Sequence, residues 1–538
     1  MGDAVVGVGR GPPAGQFGTA KRGAFGSDPG LENSGGAAVA AASMTPTGVH
    51  GTEYRLYIDG ERQPACSGRT YQTIDPFSGQ PWAVVPDGDR SDVDRAVSAA
   101  RRALSGPWAA LTPTQRGKLL HRLGDLIARD AQRLAEIETR DSGKLLREMA
   151  GQLAAVPEWC YYYAGLADKV EGSVIPSDKP NYLVYTRHEP VGVVATITPW
   201  NSPLLLLMWK LAPALAAGCT VVVKPSEHTP VSALELASLV GEAGFPPGVV
   251  NVITGWGPAT GSALSAHPGV DKVAFTGSTA TGIAVAHAAA NNLTRITLEL
   301  GGKSAQVVFP DADLDAAANG VIAGVFAATG QTCMAGSRLV VHDNIAGALV
   351  DKIVSRARTI KIGDPKAAET EMGPLATSEQ FDKVLSHFHS AREQGATIAC
   401  GGERVGDLGG FFVTPTVLTD VIPSMRVVQD EVFGPVLAVI RFHDESEAVE
   451  IANDTSYGLA AAVWTTDVHR AHRVAAKLRA GTVWINAYRV VGPHVPFGGF
   501  GASGIGRENG ADAIREYTET KAIWVELSGQ TRDPFTLG

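Results

Sequence analysis

The feature that most constrains this chain is a stretch from Gly192 to Leu300 in which short, wholly apolar runs alternate with helix-patterned segments. Residues 192–198, 220–223, 249–253, 271–275 and 295–300 read as strands, and residues 204–217, 231–242 and 279–290 read as helices between them. Strands that are apolar on both faces, joined through helices, require a parallel sheet covered on both sides. That is the doubly wound α/β architecture of nucleotide-binding domains.

A second alternating series begins at residues 304–308 and continues toward Trp484, long enough for an α/β domain of its own. Two or three domains suit a chain of 538 residues, which is too long for one hydrophobic core. Before the first series, residues 54–58 alternate as a strand that breaks at Asp59-Gly60. Residues 92–104, 114–129 and 131–139 carry apolar positions at helical spacing. Residues 182–186 and 517–527 alternate as strands outside either core and suit a sheet shared between subunits. Residues 1–51 are rich in Gly, Ala and Pro without periodicity and are expected to be disordered, as a tail or as the product of an early start with Met44 nearer the true one.

Forty-six basic and fifty-five acidic residues give a net charge of -9, which opposes nucleic acid and anionic lipid as partners. The five cysteines are scattered singly, with no spacing that suits zinc, so no metal is expected and a reducing, cytoplasmic setting is. No signal peptide is apparent. The apolar stretch from Leu204 to Val223 is interrupted by Lys210 and Pro213, and reads as a buried helix followed by a strand.

For a nucleotide, the G-x-G-x-x-G match at Gly499, Gly501 and Gly504 lacks a strand–turn–helix context. The better candidate is the segment FTGSTATG, 275–282. There Gly277 lets the chain turn and Ser278 or Thr279 caps a helix whose free N–H groups suit a pyrophosphate. In VVVKPSE, 221–227, Lys224 and Glu227 follow the carboxyl end of a neighbouring strand, where they can hold two ribose hydroxyls. The plainer reading there is a solvated loop with Ser226 capping a helix.

Seven segments now appear in order: ITPWNSP from Ile197, VVVKPSE, FTGSTATG, LELGGKS from Leu298, GQTCMAGSR from Gly330, EVFGP from Glu431 and PFGGFGASGIGRE from Pro496. Together they make the chain resemble the aldehyde dehydrogenase superfamily over nearly its whole length from about residue 52. The resemblance implies a Rossmann-like cofactor domain (52–180 and 194–301), a catalytic domain (302–501) and bridging segments for oligomerisation (181–193 and 502–527), in a homodimer or homotetramer. By motif position, Cys333 is similar to the family's nucleophile, Glu299 to its general base and Asn201 to its oxyanion donor. Lys224, Ser226 and Glu227 match the adenosine-ribose region, and Gly277, Ser278 and Gly282 the pyrophosphate turn. Glu431 and Phe433 match the nicotinamide-ribose clamp, with Thr198 and Trp200 along the cofactor wall. Lys303 belongs to the family motif in a supporting role. NAD is expected over NADP, because Glu227 would repel a 2′-phosphate, an effect that Lys224 tempers.

The reaction that this implies needs these residue types. An aldehyde does not readily lose hydride until a nucleophile has made its carbon tetrahedral; a thiolate adds well and leaves tolerably. The oxyanion needs fixed donors, and the thioester needs a base to activate water. A CoA-acylating relative would need no such base, and a non-catalytic scaffold would have no reason to hold all three residues. The substrate tunnel departs from well-known relatives. Trp209 and Phe497 remain, but Ser202, Ala327 and Val491 stand where acetaldehyde-type members often carry aromatics, and Gly501 stands where lysine is common. The expected pocket is therefore roomy and suits aromatic or medium-chain aldehydes, with Arg489 and His494 flanking it.

Overall fold

The computed structural model describes residues 51–406, 408–530 and 533–535. The expectation for the N-terminal extension lies outside the described residues, Gly51 excepted. Eight strands form the first sheet, in the order Gly504–Ile505, Arg295–Glu299, Lys272–Thr276, Val193–Ile197, Thr220–Lys224, Val250–Val252, Leu56–Ile58 and Glu61–Gln63. The five central strands run parallel and are fully buried except at Arg295 and Ile296, as their unbroken apolar runs require. The outer strands pair antiparallel. Register places Thr276 opposite Glu299 and Ile197 opposite Lys224, so the candidates Glu299 and Lys224 both stand at the carboxyl ends of the parallel strands.

The helix Pro203–Ala217 is buried throughout except at Leu205. It packs against the strand after it, which explains the long apolar stretch in the sequence. Among the described residues no helix is long and apolar enough to cross a membrane.

The seven-stranded second sheet runs Thr397–Cys400, Thr416–Thr419, Val436–Phe442, Arg338–His342, Ala305–Val308, Ala460–Trp464 and Thr482–Ile485, and all but the first strand are parallel. In a third sheet Thr518–Glu526 pairs antiparallel with Tyr182–Pro190 over nine positions. The sequence-based strands there pair with each other within one chain.

Two local expectations change. The segments 114–129 and 131–139 form one helix, Pro113–Ser142, because Asp130 does not break it: its carboxylate accepts from Arg129 Nε (2.7 Å) and Arg133 (2.9 Å) on the helix surface. Ser226 caps no helix. The next one begins at Val231 with Pro230 before it, and the Ser226 hydroxyl accepts from the His228 N–H instead. Nor is its loop solvated, since Lys224 and Ser226 are both buried.

Candidate active site

A groove of about 680 Å³ opens along the carboxyl edge of the first sheet, lined by Thr198, Trp200, Lys224, Ser226, Glu227, Gly277 and Ser278 among others. It shares Pro199, Trp200, Thr276, Gly277 and Ser278 with a second cavity that reaches Asn201, Cys333, Glu431 and Phe433. The two are one continuous channel. At its outer end Lys224 Nζ donates to Glu227 Oε2 (3.1 Å) and to the Pro225 carbonyl (2.9 Å). Burial is the largest single effect and works against the Glu227 charge, but Lys224, the Glu227 N–H and His228 together outweigh it and hold the carboxyl below its usual range.

In the middle, Ser278 caps the helix Thr279–Ala290, accepting from the Thr281 N–H at 3.2 Å. A Cβ on Gly277 would fall 2.4 Å from the Phe275 ring, so only glycine keeps the turn close to the strand. Gly282 is different: it lines neither cavity, and its bare Cα lets the helix pack on Leu300, 2.4 Å from where a Cβ would stand. Its place is in packing, away from the channel lining.

At the inner end Glu431 accepts from the Gly302 N–H (3.1 Å), and burial raises its carboxyl. Phe433 stands edge-on to Trp200 with ring centroids 5.2 Å apart. The channel can therefore take an extended dinucleotide. A carboxylate stands at each end, and the N-terminus of a twelve-residue helix lies between them, a set of groups suited to two riboses and a pyrophosphate.

Cys333 sits on a loop with unusual backbone. Ala328, Thr329 and Gly330 have φ of 53°, 56° and 68°, a left-handed run that costs energy at its two non-glycine positions. The surroundings hold it: Glu148 accepts from the Ala328 N–H (3.1 Å), the Thr329 hydroxyl donates to the Gly373 carbonyl (3.1 Å), and Gln331 accepts from the Ala376 N–H (2.9 Å). Asn201 Nδ2 donates to the Gln331 carbonyl (3.1 Å), which fixes the amide beside the cysteine loop. Arg338, fully buried, donates to the carbonyls of Lys303, Ile451 and Ala452 and locks the strand that follows. Burial, with the charges of Glu431 and Glu299, pushes the Cys333 thiol up to about 12, while the N–H groups of Met334 and Cys333 itself oppose the shift. Lys303 is buried and pushed down to about 7 by desolvation and by Arg338.

Glu299 is buried, and neither carboxylate oxygen has a hydrogen-bond partner, Cys333 Sγ included. Burial first, then the nearby Glu508 charge, raises it well above the usual carboxylate range; Lys210 and Arg507 act in the opposite direction. Lys210 Nζ forms a short ion pair with Glu508 and donates to the Thr276 hydroxyl (2.6 Å). The sequence reading did not include Lys210 or Glu508 in the site. The signals were a lone lysine inside an apolar helix and the last residue of the PFGGFGASGIGRE motif.

Trp209 stacks on Trp159 (6.0 Å, 16°) and meets Phe497 edge-on (5.1 Å). Val491, Met334 and Cys333 pack at the edge of the large hydrophobic core to which Trp159, Trp209 and Phe497 belong. Ala327 is half-buried at the start of the strained turn. Ser202 differs from expectation in kind. Its hydroxyl accepts from Lys144 Nζ (3.1 Å) and Gln152 Nε2 (3.3 Å), so its surroundings are polar. Among the described residues no group of three or more His, Cys, Asp or Glu is placed to hold a metal.

Known proteins resemble this chain over most of its length. The model of the aldehyde dehydrogenase family matches residues 63–523. A relative from Acinetobacter baylyi, (Z)-2-((N-methylformamido)methylene)-5-hydroxybutyrolactone dehydrogenase, is 48% identical over 90% of this chain and 99% of its own. Human retinaldehyde dehydrogenase 3 is 46% identical, over 88% and 93%. Among solved structures, an NAD+ complex of an aldehyde dehydrogenase from Bacillus cereus superposes with a TM-score of 0.87 at 46% identity, covering 88% of this chain and 97% of that one. Betaine aldehyde dehydrogenase from Staphylococcus aureus, also with NAD+, gives 0.89 at 43%, covering 90% and 97%. The chain belongs to the aldehyde dehydrogenase family and is an enzyme of NAD(P)-dependent aldehyde oxidation.

Proposed function

We propose that Cys333, Asn201 and Glu299 divide the oxidation between them as nucleophile, oxyanion donor and base. The observation that carries this is the single channel joining Cys333 and Asn201 to Glu431, Phe433 and the Lys224–Glu227 pair. Cys333 gives up its proton to solvent water, and its sulfur bonds to the aldehyde carbon as the carbonyl electron pair moves onto oxygen. The Asn201 amide and the Cys333 N–H receive that oxyanion, each worth about 3–4 kcal/mol by analogy with other oxyanion holes. As the tetrahedral adduct collapses, hydride leaves its carbon. NAD+, when bound, supplies the hydride acceptor and a positive ring charge near the thiol. Glu299 takes a proton from water, which attacks the thioester; the C–S bond breaks, releasing the carboxylic acid and the thiol. A raised carboxyl is suited to this, because its basicity lies nearer neutral pH.

The cofactor is NAD in preference to NADP. Lys224 is already committed to Glu227 and the Pro225 carbonyl, which leaves the Glu227 charge to meet a 2′-phosphate. The enzyme acts as a homo-oligomer in the cytoplasm. The third sheet exposes Val174, Ile175, Tyr182, Leu183 and Trp524, apolar side chains that a subunit contact would cover. Aldehyde-dependent NADH formation without CoA, lost in Cys333→Ala, tests the proposal; a variant that keeps a tenth of the rate (about 1.4 kcal/mol of lost stabilisation) would remove Cys333 from its role.

A further inference from the structure

Ser202 occupies the position before the helix Pro203–Ala217, where a serine hydroxyl ordinarily accepts from the first-turn N–H groups. Here it does not. Glu138, from the long helix Pro113–Ser142, accepts from the Leu204 N–H at 2.8 Å instead. The Ser202 hydroxyl is left free to accept from Lys144 Nζ and Gln152 Nε2. Lys144 is 4% exposed, and among the described residues the Ser202 hydroxyl is the one hydrogen-bond partner of its Nζ, so two of the three ammonium N–H donors are unspent. The Ser202 O–H is likewise unspent as a donor. Buried donors without acceptors are costly, and native structures seldom keep them without a use.

This cluster adjoins the reacting centre. Ser202 directly follows Asn201, which lines the cavity at Cys333, and the charged groups acting on Lys144 are Glu148, Arg489, Glu138 and Cys333. Glu148 is partly spent on the Ala328 N–H, and Arg489 donates to the Ala323 carbonyl. A phenylalanine at position 202 would remove the hydroxyl that Lys144 and Gln152 both meet.

We propose that Lys144, with the Ser202 hydroxyl, recognises a hydrogen-bond-accepting oxygen on the substrate, so that the preferred aldehydes carry a carboxylate or hydroxyl group a few atoms from the reacting carbon. This rests on Cys333 being the point of attack and refines the apolar tunnel expected from sequence. Donors built to meet an oxygen discriminate strongly against an analogue that lacks it, because they are then buried unpaired.

The test compares butanal, pentanal and hexanal with the ω-oxo acids and ω-hydroxyaldehydes of matching length, by kcat/KM for NADH formation. At the best length, an oxygen-bearing aldehyde is expected to exceed its alkanal by about tenfold or more. The acid outranking the hydroxyaldehyde would identify an anion contact, and the reverse order a neutral one; either supports the proposal. Lys144→Met and Ser202→Phe should each collapse that ratio, mainly through KM. Gln152→Leu, which loosens Ser202, should reduce it and stands in if Lys144→Met does not fold. Alkanals equal to their oxygenated partners at every length, or a preference that survives both Ser202→Phe and Gln152→Leu, overturns the proposal. NADH formation from none of these aldehydes would instead count against the dehydrogenase reading itself.

Discussion

Lys210 and Glu508, 298 positions apart, form a buried ion pair beside the Glu299 carboxyl. One comes from the helix after the first central strand and the other from the segment after residue 505, so the pair ties two distant parts of the chain to the end of a third strand. Breaking such a pair from one side strands a buried charge, at a cost of about 3–5 kcal/mol.

Lys210→Met is therefore expected to destabilise the enzyme by that order in chemical denaturation, and Lys210→Met/Glu508→Gln to recover much of the loss. The two partners also act on Glu299 in opposite senses: Lys210 lowers it and Glu508 raises it. Glu508→Gln should bring the rise of thioester hydrolysis with pH to lower pH. A profile that moves upward, or does not move, would separate this pair from the base.

The pH dependence of Glu299 itself has a definite sign. Burial raises its carboxyl, so at low pH it holds its proton and cannot accept one from water. Hydrolysis should rise as pH passes through the raised value. Glu299→Gln should show a stoichiometric burst of NADH and then a stalled steady state at every pH. For stability the linkage runs the other way. A carboxyl raised in the folded state contributes stability below its unfolded value and loses it as pH rises through the folded one. Glu299→Gln should therefore gain on the wild type in Tm with increasing pH. Loss of the burst together with turnover would move Glu299 to thiol activation.

Much of this was legible in the sequence, for physical reasons. Unbroken apolar runs between 192 and 300 specify buried parallel strands, and the helix 279–290 was bounded correctly because a serine cap marks its start. The channel residues Lys224, Glu227, Ser278, Glu431 and Phe433 sit in contiguous motifs at strand ends, where local pattern and tertiary position coincide. What was not legible depends on pairing across the chain. Lys210 appeared only as an interruption, since its partner lies 298 residues away. Ser202 looked like lost volume, because nothing nearby in sequence shows that Lys144, 58 positions earlier, reaches its hydroxyl. The long helix Pro113–Ser142 was read as two because Asp130 interrupts the apolar period, whereas its arginine contacts keep it on the surface.

Gly301 lies against the inner end of the channel, where an added Cβ would fall 2.2 Å from Glu431 Oε2. Gly301→Ala should push the Glu431 carboxylate from its place and break its bond from the Gly302 N–H. Because Glu431 is proposed to clamp the nicotinamide ribose, the variant should lose at least about tenfold in kcat/KM for NAD, with a normal Tm. Unchanged kinetics would show that the clamp tolerates displacement and that Glu431 matters little to binding.

Cofactor choice gives the last prediction. Lys224, with the Glu227 N–H and His228, holds Glu227 charged against the effect of burial, so a carboxylate faces the outer end of the channel at neutral pH, where the adenosine is proposed to lie. It can accept from two ribose hydroxyls, but it would meet a 2′-phosphate as a like charge inside a partly buried groove. Lys224 offsets this only to the extent that it can leave Glu227 Oε2 and the Pro225 carbonyl, both of which it now satisfies. The wild type should therefore prefer NAD over NADP in kcat/KM. Glu227→Gln removes the repulsion, keeps a polar side chain of the same length, and frees the Lys224 charge to meet the phosphate. NADP should improve in the variant and NAD should weaken, narrowing the ratio by about tenfold or more. Lys224→Met should weaken both, since it withdraws the donor from ribose and phosphate alike. Equal use of the two cofactors by the wild type, or a ratio indifferent to Glu227→Gln, would show that the adenosine ribose lies elsewhere in the groove.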